Sequence, residues 1–183
     1  RGIADGVDKL LGDPARAVEV LGAIQNDATT RRVEAARSLG KVVLDTRTIA
    51  HPAFPQAAVR TPLIVALTAQ DRATYLNEWF GPIAFLIATE STDESLAIAR
   101  DAVVGHGALT LAVYSTNEDV IGRAIDVAED AGVALSINLT GGVFVNQSAA
   151  FSDFHGTGAN PAANAALTDA AYVANRFRVV QHR

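Results

Sequence analysis

The chain has 183 residues, of which 49% are hydrophobic and 19% charged, and its formal net charge is -5. This balance is typical of a globular domain and excludes a disordered or fibrous chain. No cluster of basic residues is larger than the pair Arg31–Arg32, so we expect no nucleic acid partner. No apolar run is long enough to cross a bilayer, so we expect no membrane partner and a cytoplasmic location.

The chain contains neither cysteine nor methionine. Disulfides, thiolate catalysis and Cys-based metal sites are therefore excluded within this chain. Because no start methionine is present, we expect a processed product or a part of a longer protein.

The first 62 residues are predicted to form helices followed by one strand. Apolar residues recur at helical spacing over residues 3–11 and predict a helix there, and two further helices are predicted over 15–24 and 31–39. Thr29 or Thr30 is expected to cap the third helix. A β-branched run predicts a strand over 41–46. Prolines between Ile49 and Pro62 predict an irregular surface connection there.

From residue 63 onward, apolar strands alternate with amphipathic helices. The predicted strands lie at 63–67, 83–89, 109–115 and 133–139, and the predicted helices lie at 92–104 and 117–132. This alternation requires parallel crossovers and therefore predicts an α/β layer fold. Thr92 or Asp93 is expected to cap the first of these helices. A further helix is predicted over 160–176 and a terminal strand over 177–181.

Several motifs carry only a weak signal. The Gly-x-Gly of residues 156–161 lacks the third glycine and the upstream strand of a dinucleotide fingerprint, so a plain helix start is favoured over a phosphate site. The four histidines are scattered, and we expect no metal site. Ser148 and Ser152 lie close in sequence to Asp153 and His155, but neighbouring residues of one loop rarely form a catalytic triad.

The segment Asn-Glu-Trp-Phe-Gly-Pro, residues 77–82, precedes the predicted strand at 83–89, and its Gly-Pro step predicts a loop. Two interpretations are open. In the first, which the chemistry alone favours, Trp79 and Phe80 plug the core and Glu78 is solvated. In the second, the loop presents a carboxylate and an aromatic ring to a ligand.

A second candidate segment is the stretch from Thr140 to Gly158. It follows the predicted strand at 133–139, and α/β proteins bind ligands at the carboxyl ends of their strands. Its aromatic and amide side chains, Phe144, Asn146, Phe151 and Phe154, suit an apolar pocket with a few polar groups. An ordinary long loop is the alternative.

The order of these segments resembles the aldehyde dehydrogenase family. "NEWFGP" is similar to its Glu-x-Phe-Gly-Pro segment, and "TDESLAIA" is similar to the acidic helix that follows. Further similar segments occur in the family's order: "LGDP", "RTPLIVAL", "VVGHGALTLAVYS", "AGVALSINL" and "AFSDFHGTG". The resemblance implies a three-layer α/β/α catalytic domain with a mostly parallel sheet over residues 1–174, and an oligomerisation strand over 175–183.

The resemblance also implies roles for individual residues. Glu78 matches the family glutamate that hydrogen-bonds the cofactor's ribose hydroxyls, and Phe80 matches the phenylalanine beside the nicotinamide ring, which implies NAD or NADP as the cofactor. Asn138, Phe144 and Phe151 match positions of the substrate pocket.

Two positions depart from the family pattern. Ser152–Asp153 replaces the family's Gly-Gly, and His155 replaces its lysine. We therefore expect a pocket whose shape and polarity differ from those of a generic member.

The resemblance further implies NAD(P)-dependent oxidation of an aldehyde. Residues 136–181 are most similar to the branch that acts in phenylacetate degradation, which implies a ring-opened substrate linked to coenzyme A. The family's catalytic cysteine and general-base glutamate lie upstream of its Gly-Asp-Pro segment. We therefore expect this chain to be a C-terminal part of the enzyme, with no catalytic residue of its own and no activity alone.

The terminal strand is expected to pair with a sheet of a second subunit in a homo-oligomer. A non-catalytic ligand-binding or assembly module with the same fold is the alternative to an enzyme fragment.

Overall fold

A computed structural model describes residues 2–108, 110–140 and 180–182. The chain divides into two compact units, Arg1–Thr89 and Glu90–Arg183, which we call the first and the second unit. Phe144, Phe151, the glycine motif at 156–161 and the predicted helix at 160–176 lie outside the described residues.

The helices of the first unit are α1 (Gly2–Leu10), α2 (Pro14–Val20), α3 (Asp27–Ala36) and α4 (Arg72–Tyr75). Asp13 caps α2 by accepting a hydrogen bond from the Ala15 N–H at 2.9 Å. α3 begins earlier than predicted, because Asn26 Oδ1 accepts a hydrogen bond from the Thr29 N–H at 2.9 Å. Thr29 is therefore in the first turn, and the prediction of Thr29 or Thr30 as the cap is wrong.

The strands of the first unit are β1 (Lys41–Leu44), β2 (Thr48–Ile49), β3 (Val59–Arg60), β4 (Leu63–Thr68) and β5 (Ile83–Ala88). One sheet has the order β1-β4-β5, with β1 antiparallel and β5 parallel to β4. Leu63 of β4 lies opposite Ile83 of β5. Val33 and Ala36 of α3 pack against the buried side chains of β4, so α3 covers this sheet.

The prediction of a fully irregular connection between Ile49 and Pro62 is wrong in part. β2 and β3 form a short antiparallel ladder in which Ile49 lies opposite Val59, and both side chains are buried. The prolines lie outside the paired residues, so no ladder hydrogen bond is lost to them.

The second unit contains α5 (Thr92–His106), β6 (Thr110–Val113), α6 (Glu118–Ala131), β7 (Ala134–Ile137) and β8 (Val180–His182). Its strands form a sheet of order β6-β7-β8 in which both pairs are parallel. Ser91 rather than Thr92 or Asp93 caps α5, because its Oγ accepts a hydrogen bond from the Glu94 N–H at 3.1 Å.

The ends of α6 follow local sequence rules. Asn117 Oδ1 accepts a hydrogen bond from the Asp119 N–H at 2.9 Å, and Gly132 ends the helix in the left-handed conformation with φ 67°. Val103 of α5 and Ile121 of α6 share an apolar core with buried residues of β7. Helices and parallel strands thus combine in each unit, and the predicted α/β fold is confirmed.

β8 lies within the segment 175–183 that is predicted as an oligomerisation strand. In this single chain, Val180–His182 pairs in parallel with β7 of the same chain, with Leu135 opposite Val180. The family resemblance implies pairing with a second subunit instead, and that pairing stays a prediction. Among the described helices, none has the length and hydropathy that a membrane span requires.

Candidate functional site

The loop of residues 77–82 precedes β5, as predicted, and it follows α4, a short helix that the sequence analysis did not predict. Its tryptophan faces inward: Trp79 Nε1 donates a hydrogen bond to the Thr74 carbonyl at 2.9 Å, and its ring meets the Phe85 ring edge-on at 6.1 Å between centroids. Trp79 also packs against the apolar core formed by α3 and β4. The core-plug interpretation is therefore correct for Trp79.

The two neighbours of Trp79 face outward. Phe80 is 68% exposed, and Glu78 is exposed as well. No hydrogen bond or ion pair among the described residues involves the Glu78 carboxylate. The core-plug interpretation is therefore wrong for Phe80, and the loop presents a carboxylate and an aromatic ring to solvent.

The backbone of this loop is held by α3. Arg32 Nη1 donates a hydrogen bond to the Phe80 carbonyl oxygen at 2.5 Å. Gly81 has a φ of 147°, which favours glycine, and a Cβ at this position would lie 3.1 Å from Thr29 Cγ2. Sequence reasoning missed Arg32, because no local pattern connects two residues 48 positions apart.

The turn that leads from β4 into α4 is closed by a carboxylate. Asp71 Oδ2 accepts hydrogen bonds from the Thr68 N–H at 2.8 Å and from the Thr68 hydroxyl at 2.7 Å. These bonds, the backbone one first, lower the pKa of Asp71 below its usual range. Tyr75 adds a bond from its hydroxyl to the Ala69 carbonyl at 2.9 Å, so the segment before the 77–82 loop is firmly connected to β4.

Asn138 lies directly after β7, and both polar atoms of its side-chain amide form hydrogen bonds within the second unit. Its Oδ1 accepts a hydrogen bond from the Ser115 N–H at 2.9 Å, and its Nδ2 donates one to the Ser115 carbonyl at 2.8 Å. Its backbone N–H donates to the Val113 carbonyl at 2.9 Å, and its φ of 53° is left-handed. Asn138 thus joins the carboxyl ends of β6 and β7.

The described part of the predicted site comprises Glu78, Phe80 and Asn138. Glu78 and Phe80 lie on one loop of the first unit, and Asn138 lies in the second unit. Within the described ranges, no group of three or more His, Asp or Glu side chains is placed to hold a metal ion.

The chain belongs to the aldehyde dehydrogenase family, whose sequence model matches residues 3–164. It is similar to a solved structure titled as an NAD-dependent aldehyde dehydrogenase from Burkholderia multivorans, with 66% sequence identity and a TM-score of 0.80. That similarity covers 96% of this chain and 32% of the other protein, so the chain spans about a third of its neighbour's length. A comparison with curated proteins found no match.

Proposed function

We propose that this chain forms part of an NAD(P)-dependent aldehyde dehydrogenase and that its 77–82 loop contributes to the cofactor site. The family match and the NAD-dependent neighbour support this proposal. The observation that carries it is the joint presentation of the Glu78 carboxylate and the Phe80 ring on a loop whose interior is fixed by Trp79.

The exposed groups of this loop fit the cofactor chemically. A carboxylate accepts hydrogen bonds from two hydroxyl groups at once, as the ribose of a dinucleotide offers. An exposed aromatic ring offers an apolar face against which a flat heteroaromatic ring packs. When bound, NAD(P) supplies the hydride acceptor of the reaction. Glu78 and Phe80 would orient and cover the cofactor.

The nucleophile is proposed to lie outside these 183 residues. Aldehyde oxidation in this family uses a cysteine thiolate, and the chain contains no cysteine. We therefore expect the isolated chain to form no NAD(P)H from an aldehyde. Turnover by the isolated chain, measured as NAD(P)H absorbance, would contradict this expectation.

The substrate proposal is narrower and rests on residues 136–181. These resemble the C-terminal part of the phenylacetic acid degradation protein PaaN, which acts on a ring-opened aldehyde linked to coenzyme A. We propose a substrate of this class, with Phe144 and Phe151 in its pocket and Asn138 at the start of the pocket segment. A cytoplasmic homo-oligomer that pairs through residues 175–183 is part of the same proposal.

The Glu78→Gln substitution tests the cofactor role in the active protein that contains this chain. Gln keeps the shape of the side chain and removes its charge, so we expect the cofactor dissociation constant to rise about tenfold, the effect of losing one charge-assisted hydrogen bond. Titration of the cofactor against the protein measures this change.

Glu19→Gln is the matched control. Glu19 is an exposed acid of α2, and its substitution makes the same change in charge away from the 77–82 loop. Unchanged circular dichroism in both variants shows intact folding. Equal cofactor affinity of the Glu78→Gln variant and the unaltered protein would remove Glu78 from the cofactor site.

The absence of cysteine also favours a second candidate, a non-catalytic ligand-binding or assembly module with the same fold. The coding sequence directly upstream of Arg1 distinguishes the enzyme from the non-catalytic module. A nucleotide-binding segment with a cysteine supports the enzyme, and a stop codon there supports the module.

A further inference from the structure

One side of α3 faces the 77–82 loop. Thr29, Arg32 and Val33 are neighbours on this helix, because residues three and four positions apart lie close together on a helix surface. Thr29 and Val33 are buried. A Cβ on Gly81 would lie 3.1 Å from Thr29 Cγ2 and 3.6 Å from Val33 Cγ2, so the Gly81 backbone lies directly against the helix.

Arg32 adds a directional bond at the same place. Its guanidinium donates to the carbonyl oxygen of Phe80 at 2.5 Å, one residue before the close approach of Gly81. Hydrogen bonds from a charged donor are stronger than neutral ones, and guanidinium stays charged at any ordinary pH. The bond therefore holds the backbone of Phe80, a residue that is 68% exposed.

No other hydrogen bond among the described residues reaches the backbone of residues 78–80. Trp79 holds this stretch through its side chain alone. Among the described residues, Arg32 thus makes the one hydrogen bond to the peptide unit that connects Phe80 to Gly81.

We propose that Arg32 is a positioning residue of the cofactor site: by holding the Phe80 carbonyl, it keeps Glu78 and Phe80 presented together. This inference rests on the proposed function. Arg32 acts through the loop backbone and need not touch the cofactor.

The chain provides a matched control in Arg31, the preceding residue of α3. Arg31 is exposed, carries the same charge and shares the same helix, and no hydrogen bond or ion pair joins its side chain to the 77–82 loop among the described residues. Replacing either arginine by methionine removes one positive charge and keeps an unbranched apolar chain. A difference between the two variants therefore reports the hydrogen bond rather than the charge.

The experiment uses the active protein that contains this chain, with the variants Arg32→Met, Arg31→Met and Arg32→Lys. Amide hydrogen exchange of peptides that cover residues 77–83 reports the order of the loop through its hydrogen-bonded N–H groups, those of Asn77 and Ile83. Titration with NAD and with NADP reports cofactor affinity, and steady-state kinetics separate KM from kcat. Arg32→Lys retains a charged donor and tests rescue.

We expect Arg32→Met to speed amide exchange in these peptides and to raise the cofactor dissociation constant about tenfold, a factor that corresponds to about 1.4 kcal/mol. The KM for the cofactor should rise more than kcat falls. Arg31→Met should change neither exchange nor affinity, and Arg32→Lys should restore part of both.

Unchanged exchange in Arg32→Met overturns the proposal. So does faster exchange with unchanged cofactor affinity, provided that Glu78→Gln weakens binding, because the loop then functions without the bond. If Arg32→Met speeds exchange and neither it nor Glu78→Gln alters cofactor affinity, the proposed cofactor site is wrong, and the structural role of Arg32 in the loop stands.

Discussion

The loop before β5 and the turn after β7 both carry residues that the family resemblance assigns to ligands, and they are built in opposite ways. In the 77–82 loop, Glu78 and Phe80 point outward, and the loop is held by Trp79 and by the Phe80 carbonyl. In the turn after β7, Asn138 itself provides the contacts, since its amide is bonded to Ser115 on both sides.

The 77–82 loop thus presents side chains to solvent, whereas the Asn138 side chain supports the backbone around it. A side chain whose donors and acceptors are already satisfied must lose those bonds before it can bind a ligand, which costs about 1 kcal/mol for each bond. Glu78 has no such bond to lose among the described residues. We therefore expect the 77–82 loop to contact a ligand directly, and we expect Asn138 to stabilise the second unit by joining β6 to β7.

The largest predicted effect concerns Asn138. Asn138→Ala removes two hydrogen bonds and puts alanine at a φ of 53°. Two bonds of about 1 kcal/mol each and a left-handed cost of about 1 kcal/mol give a loss of about 3 kcal/mol in the free energy of unfolding. Urea unfolding of the chain measures it.

Asn138→Gly is the control that separates these two causes. Glycine accepts the left-handed φ but makes no amide bond, so we expect a loss of about 2 kcal/mol. A glycine variant as stable as the unaltered chain would show that the amide bonds contribute nothing and would remove the contrast with the 77–82 loop.

The next effect concerns Gly81. Gly81→Ala places a Cβ 3.1 Å from Thr29 Cγ2 at a φ of 147°, so we expect a loss of about 1 to 2 kcal/mol in stability. Gly132→Ala is the control, because Gly132 also has a positive φ but has open space around it. Both variants should lose stability in urea, and only Gly81→Ala should weaken cofactor binding in the active protein.

Equal cofactor binding by the Gly81 and Gly132 variants would mean that the backbone of the 77–82 loop does not determine cofactor affinity. The loop would then differ from the turn after β7 only in its exposed side chains.

The smallest effect is a pH dependence at Asp71, which closes the turn before α4. Hydrogen bonds from Thr68 lower its folded-state pKa below the unfolded value of about 3.9. The stabilisation is therefore complete above the unfolded pKa and is lost as the pH falls through the folded pKa. An NMR titration of the Asp71 carboxyl carbon should give a midpoint below about 3.9.

Thr68→Val serves as the control for Asp71, because it removes the hydroxyl donor and keeps the backbone N–H. The midpoint of Asp71 should then rise toward its ordinary value. A midpoint that does not move would show that the hydroxyl has no part in lowering the pKa.

Much of the fold was predictable because its signals are local. The apolar runs of β4 and β5 and the cap residues Asn117 and Gly132 lie within a few positions of the elements that they define. The misplaced caps of α3 and α5 also have a local cause, since several residues able to cap lie within a few positions there and only the backbone conformation selects Asn26 and Ser91.

The candidate site was predictable only in part. The sequence placed Glu78 and Phe80 on a loop before a strand, and the family resemblance gave them a role. The sequence did not reveal that Trp79 faces inward while Phe80 faces outward, because both residues are large, apolar and adjacent. The short ladder of β2 and β3 was also missed. The nearby prolines indicate an irregular segment, although they lie outside the paired residues.

By itself, the sequence determined the family, the α/β class and the absence of any thiol nucleophile in these 183 residues, because these follow from composition and from motifs of consecutive residues. Only the tertiary structure decided which atoms hold the two candidate regions. The Arg32 bond spans 48 positions and the Asn138 bonds span 23, and no local pattern encodes contacts between segments so distant in the chain.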